Sequence, residues 1–271
     1  MDTNIAENGA AFPMKTNCGL LLIGHGTHDF RGRDGFFTTV EQVADLLPDH
    51  PVDGCFLEAA APDILTAMEA FADDELERVV AVPLLLFSAG HARHDIPAAL
   101  QAAAKRTGLR VRQADVLGWH PEILQLSARR FQAAAGPDYD PDTTCWLFVG
   151  RGSKDVSATA AFHEFARRRR EMTPVAQAEN AFLALAEPRV EQVALQVSAG
   201  PYQRVIVQPH LLYPGSLLSR LREMVALQEA KGTRQQWVLA DSLGCDRAVA
   251  RAVVDRYRSA LRDGSRRIGP G

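Results

Sequence analysis

The sequence predicts an α/β protein built as two similar lobes, each a mostly parallel sheet flanked by helices, with a cleft between them. Three observations carry this expectation: an internal repeat, short apolar runs that alternate with helical patterns, and reactive side chains gathered where the apolar runs end.

The repeat comes first because it decides the architecture. Residues 20–29 match residues 146–155, with Gly24 set against Gly150 at a separation of 150 − 24 = 126. The same separation recurs without a gap in Phe56-Leu57 and Phe182-Leu183, in Pro62 and Pro188, and in Arg78-Val79-Val80 and Arg204-Val205-Ile206. It returns in Pro83 and Pro209, and in Ala114-Asp115 with Leu117-Gly118 against Ala240-Asp241 with Leu243-Gly244. Each repeat reads as four strand–helix units. The runs 20–23, 79–82 and 205–207 are too short for helices and are bounded by Gly or Pro, as expected of parallel strands buried on both faces. Between them, 98–104 and 216–227 carry helical patterns. Alternating strands and helices imply parallel sheets with right-handed crossovers. The expected organisation is a disordered leader over 1–17, an N-terminal catalytic lobe over 18–135 and a degenerate C-terminal lobe over 142–262. The boundary falls in the Gly- and Pro-containing stretch 135–141.

Composition narrows the function. The chain of 271 residues has a formal net charge of −3, 46% hydrophobic and 23% charged residues, which is not the basic balance of a nucleic-acid binder. Its longest apolar run, 79–90, has 12 residues and is broken by Pro83, whereas a membrane span needs about 20. No secretory pattern opens the chain, so the expected compartment is the cytoplasm. Cys18, Cys55, Cys145 and Cys245 form no Cys-x-x-Cys pair and read as buried free thiols. The run 167–170, four arginines, reads as the solvated face of a helix.

Ligands of such sheets bind beyond the carboxyl ends of the strands. At the first strand end stands Gly24-His25-Gly26, at the second Phe56-Leu57-Glu58 before Pro62, and at the third Gly90-His91 ahead of Asp95-Ile96-Pro97. Two imidazoles on one sheet edge suit a borderline divalent ion and leave coordination positions open. Glu58 can accept protons or draw a cation inward. His94, three residues after His91, reads as a solvated histidine at a helix start. The repeat serves as a control: at the offset of 126, Arg151 replaces His25, Ala184 replaces Glu58, Leu217 replaces His91 and Leu221 replaces Asp95. The second lobe keeps the glycines and prolines and loses the reactive set as a group, which points to chemistry in the first lobe only.

With these residues in hand, the chain resembles the sirohydrochlorin chelatases of the CbiX/SirB type over roughly 18–260. The resemblance implies a lyase that inserts a divalent metal, cobalt first or iron second, into the tetrapyrrole sirohydrochlorin, for cobalamin or siroheme biosynthesis. It implies His25 and His91 as the metal-handling pair and carries the family glutamate of the second strand over to Glu58 as a third catalytic residue. Where the family often has an acidic residue just before Asp-Ile-Pro, this chain has His94. The metal, Co2+ or Fe2+ and conceivably Ni2+, is substrate, and no tightly bound cofactor is expected. Sirohydrochlorin is rich in carboxylates, so Arg31, Arg93 and Arg151 are the basic side chains expected to receive it, along with Arg33. The second lobe is expected to add shape and positive charge but no metal ligand. The duplicated chain is expected to act as a monomer, without nucleic acid or membrane. A metal or tetrapyrrole carrier on the same cleft is the alternative of another class. Histidine-phosphatase chemistry is disfavoured because neither lobe has an adjacent Arg-His, and a serine hydrolase because no Gly-x-Ser-x-Gly occurs.

Overall fold

The computed structural model describes residues 17–88, 90–232 and 234–262. All of the expected leader except Asn17 lies outside the described residues, and so does the side chain of His91.

The first repeat forms β1 (Cys18–Gly24), α1 (Phe30–Leu46), β2 (Val52–Phe56), α2 (Ile64–Asp73), β3 (Arg78–Pro83), a π-helical turn (His91–Asp95), α3 (Ile96–Thr107), β4 (Arg110–Gln113) and α4 (Pro121–Ala135). After a short 3-10 turn, the second forms β5 (Thr144–Gly150), α5 (Val156–Glu171), β6 (Gln177–Phe182), α6 (Val190–Ser198), β7 (Arg204–His210), α7 (Ser216–Ala230), β8 (Gln236–Leu239) and α8 (Arg247–Arg262). The two sheets have the orders β2-β1-β3-β4 and β6-β5-β7-β8, all pairs parallel, so the repeat in sequence is a repeat in topology.

The apolar runs of β1 and β3 send alternate residues to opposite faces, and both faces are covered. Leu21, Ile23, Val79 and Ala81 enter a core with residues of α2 and α3, while Leu20, Leu22, Val80 and Val82 enter a second core. That second core is continuous with Trp146, Phe148 and Ile206 of the other sheet. Helices α1, α8, α4 and α5 therefore form a shared middle layer between the two sheets, with α2 and α3 outside one and α6 and α7 outside the other.

Within that layer the repeats exchange their last helices. α8 lies against α1 and β3 of the first lobe, and Tyr257 reaches the Cys18 carbonyl (3.4 Å) and His50 Nδ1 (2.9 Å). α4 lies on β7 of the second lobe, where Ser127 accepts from Gln208 (Nε2 to the Ser127 carbonyl, 2.7 Å) and from Arg169 Nε (3.0 Å). Arg169 corrects the solvated-face reading of 167–170. It is fully buried, donates to Thr173 Oγ1 (2.8 Å) and lies over the Trp146 ring at 5.4 Å, and burial pushes its guanidinium down to about 10. Arg167 and Arg168 do face outward, paired with Glu164. The four cysteines form no disulfide among the described residues, three of them being buried and Cys245 half-buried. Among the described residues no helix is long and apolar enough to cross a membrane.

Candidate functional site

The carboxyl ends of the two sheets face a common cleft of about 780 Å³. Phe36, Phe56, Leu85, Phe162, Phe182 and Leu218 are among the residues that make it largely apolar, as a site for a flat organic ligand would be.

Backbone geometry brings His25 and Glu58 together at its edge. Beyond β1, Gly24 and His25 offer their carbonyls to the amides of Leu57 (2.9 Å) and Glu58 (3.1 Å), which ties the first turn to the second. The approach is possible because Gly26 has φ +101°: a Cβ there would lie 1.7 Å from the Glu58 carbonyl oxygen. The side chains follow, with His25 Nδ1 3.5 Å from Glu58 Oε1; the imidazole is 24% and the carboxylate 54% exposed. The second lobe repeats the scaffold without the chemistry. Gly152 has φ +87°, its Cβ would meet the Ala184 carbonyl at 1.8 Å, and Ala184 N donates to the Arg151 carbonyl (2.8 Å). Ala59 and Leu185 share a positive φ of 60°, and the bonds before Pro62 and Pro188 are both cis.

His91 opens the π-helical turn between β3 and α3, on the strand edge that carries His25. Its side chain lies outside the described residues, so its approach to His25 and its share in a metal site stay expectations. His94 is exposed, in keeping with the solvated reading. Among the described residues no three His, Cys, Asp or Glu side chains converge as a metal cluster.

The arginines fall into three situations. Arg151 lines the cleft and is exposed. Arg93 is exposed, its Nε 3.3 Å from Ser88 Oγ, and its field helps lower the Asp155 carboxyl at the start of α5, so it sits where the lobes meet. Arg31 is held by Asp29, Nη2 to Oδ2 at 2.7 Å and Nε to Oδ1 at 3.1 Å, while the same carboxylate caps α1 through the Arg31 amide. The pairing holds the Asp29 carboxyl below its usual range. Arg31 and Arg93 are not among the residues lining the cleft.

One residue of the cleft wall escaped the sequence reading. His210, the last residue of β7, lines the cleft from the second lobe, 3% exposed and packed against Phe165 (4.2 Å between ring centroids), Phe87 (5.1 Å) and Phe148 (5.3 Å). Among the described residues neither ring nitrogen has a hydrogen-bond partner. Desolvation, and then the field of Arg169, push the imidazole down to about 3, so it is neutral. His25 was found beside the matched strand-end Gly24; inspecting the residue after the matched Pro209 in the same way finds His210 in the second repeat. Its first-lobe counterpart is Leu84, since 210 − 126 = 84.

A CbiX family model matches residues 19–134 and again 145–260. A sirohydrochlorin ferrochelatase of Priestia megaterium is 28% identical over 244 residues, 89% of this chain and 90% of that protein. A sirohydrochlorin cobaltochelatase of the same organism is 27% identical over 245 residues, covering 89% and 79% respectively. Among solved structures, SirB from Bacillus subtilis with Fe3+ has a TM-score of 0.80 at 24% identity, covering 90% of this chain and 96% of that one. SirB from subspecies spizizenii in complex with cobalt has a TM-score of 0.76 at 23% identity, covering 93% and 99%. These two likenesses bear on the fold.

Proposed function

This chain belongs to the CbiX family, and from that premise we propose that it is a sirohydrochlorin chelatase, a lyase that inserts a divalent metal ion into sirohydrochlorin. The observation that carries this reading is the pairing of His25 with Glu58, 3.5 Å apart, at the rim of an apolar cleft of about 780 Å³ between the lobes. An apolar cleft receives the macrocycle, and the rim carries groups that handle a cation and protons.

Insertion requires two pyrrole N–H protons to leave the ring while a hydrated cation sheds water. Glu58 beside Nδ1 favours the tautomer with the proton on that nitrogen, so that Nε2 of His25, buried in this structure, would be the nitrogen that meets the ion or a ring proton. His91 is the proposed second ligand. Two imidazoles hold the ion weakly enough to surrender it to four ring nitrogens. Arg151 on the cleft wall and Arg93 at the lobe junction would receive carboxylates of the ring. Arg31, already paired with Asp29, would contribute only by exchanging partners. Cobalt is the metal proposed first and iron second: neutral nitrogen ligands accept both, and relatives named for each occur. We take the protein to work as a monomer, since its two repeats already supply both cleft walls. We place the reaction in the cytoplasm, in keeping with four cysteines that form no disulfide among the described residues.

The test is metal insertion into sirohydrochlorin followed by absorbance, with Co2+ and with Fe2+. Acceleration over the uncatalysed rate is expected. A protein that bound both reactants and left the rate unchanged would be a carrier.

A further inference from the structure

After β3 ends at Pro83, residues 84–88 run along the junction of the two lobes. The first three belong to the first sheet: Leu84 N donates to the Ile23 carbonyl (2.8 Å), and Leu85 and Leu86 accept from the amides of Leu117 (3.0 Å) and Gly118 (2.9 Å). The next residue reaches the second lobe. The Phe87 ring packs edge-on against Phe165 (6.1 Å) and Phe162 (6.3 Å) of α5 and lies 5.1 Å from His210 at the end of β7. Four residues further on is His91.

The second lobe sends back a matching aromatic. Tyr213 is the counterpart of Phe87, since 213 − 126 = 87, and Leu211 and Leu212 accept from Leu243 (2.9 Å) and Gly244 (2.6 Å) as Leu85 and Leu86 do. Tyr213 packs on Gly35 of α1, and its hydroxyl lies 2.6 Å from Thr39 Oγ1, which itself donates to the Gly35 carbonyl. Thr39 occupies the place of Phe165, as 165 − 126 = 39. The sockets are thus reciprocal but differ in chemistry: a hydroxyl pair in the first lobe, and phenyl rings with a neutral imidazole in the second. Their cargo differs too, because Tyr213 leads to Leu217 and Phe87 leads to His91.

We infer that Phe87 is a positioning residue: lodged in the Phe162–Phe165–His210 socket of the second lobe, it anchors the chain that leads from β3 into the π-helical turn opened by His91. This rests on the reading of His91 as a metal ligand. It gives the second lobe a part in metal handling although it lacks the reactive set, since a ligand held in place loses less freedom when it binds an ion.

The experiment is Co2+ binding to the full chain without tetrapyrrole, read by the absorption of the bound ion. Thermal midpoints are recorded alongside. Phe87→Ala is expected to weaken Co2+ binding about tenfold, the usual scale for groups that orient a ligand. Phe87→Leu, which refills the socket and guards against misfolding of the smaller variant, is expected to recover part of that loss. Tyr213→Leu removes the mirror contact and should lower the midpoint comparably while leaving Co2+ affinity within about twofold, as expected of a site not coupled to the ligand segment. Equal weakening by Phe87→Ala and Tyr213→Leu would overturn the inference, since general loosening would explain both. So would wild-type Co2+ affinity in Phe87→Ala when His91→Ala has lost it. Wild-type affinity in His91→Ala would instead sink the metal-ligand reading, and this inference with it.

Discussion

The two lobes carry one backbone and two chemistries. Positive φ recurs at Gly26 and Gly152 and at Ala59 and Leu185, and a cis bond precedes both Pro62 and Pro188. On this shared scaffold the first lobe sets His25 and Glu58, and the second sets Arg151 and Ala184. Close approach of the first and second turns is therefore a demand of the fold, met identically in both halves, whereas an imidazole beside a carboxylate is not. The second lobe shows what the scaffold looks like when the chemistry is removed, and it makes each functional claim about the first testable against a built-in counterpart.

The comparison breaks most visibly if the histidines prove dispensable. His25→Ala and His91→Ala are each expected to cut kcat for metal insertion by roughly a hundredfold or more, the scale of a lost proton-transfer or ligand group, while thermal midpoints stay close to wild type. A kcat near wild type in either variant would mean that the reactive lobe has been misassigned.

Glycine substitution sharpens the same comparison at the level of the backbone. Gly26→Ala and Gly152→Ala each drive a Cβ into a carbonyl oxygen, at 1.7 Å and 1.8 Å. Both should destabilise the protein in urea by roughly 2–4 kcal/mol. Only the first should also disturb the His25–Glu58 pair and lower kcat beyond what unfolding explains; equal kinetic effects would show that the lobes share the chemistry.

Arg151→Ala tests the role left to the second lobe. KM for sirohydrochlorin should rise about fivefold with little change in kcat, because a contact made equally in ground and transition states is removed. Loss of kcat at constant KM would move Arg151 into the reacting set.

Judged at neutral pH, where the imidazole is uncharged in both states, the smallest effect concerns His210. Its imidazole titrates near 6.5 when unfolded and at about 3 when folded, so between those values the unfolded chain binds more protons. Its contribution is therefore complete above about pH 6.5 and is lost as pH falls toward 3, with a slope of up to about 1.4 kcal/mol per pH unit. His210→Phe should flatten the urea-stability profile over that window by about one proton. An unchanged profile would show that water or a buried partner keeps this imidazole titrating normally.

The topology was legible because period and punctuation agree: short apolar runs bounded by Gly or Pro became β1, β3 and β7, and the offset of 126 held through every sheet position. That His25 and Glu58 stand at strand ends on one edge was legible; that their side chains meet was supplied by the backbone contact across Gly26. Three features were not legible. An amphipathic helix advertises an apolar face but not which sheet will cover it, so the exchange of α4 and α8 is invisible in the pattern. The buried Arg169 looks like its neighbours because its Ser127 partner arrives on that exchanged helix. Arg31 reads as a free cation until the Asp29 carboxylate, two residues away, is seen to bind its guanidinium as well as capping α1.

The helix exchange also bears on the order in which the molecule can be completed during synthesis. β1, near the start of the chain, is covered on one face by α8, which ends at Arg262. As the ribosome delivers residues in sequence, the first sheet can pair its strands and pack α2 and α3 on one face and α1 on the other, but the layer over Leu20, Leu22, Val80 and Val82 is completed by a helix that emerges only after the second repeat. The N-terminal half leaves the ribosome with that apolar face covered by α1 alone and with α4 bound for a sheet not yet made. That interval exposes the nascent chain to aggregation and gives a holding chaperone its opportunity. A ribosome stalled shortly before Arg247 would therefore present the first lobe as a protease-sensitive species, however completely its four strands had paired.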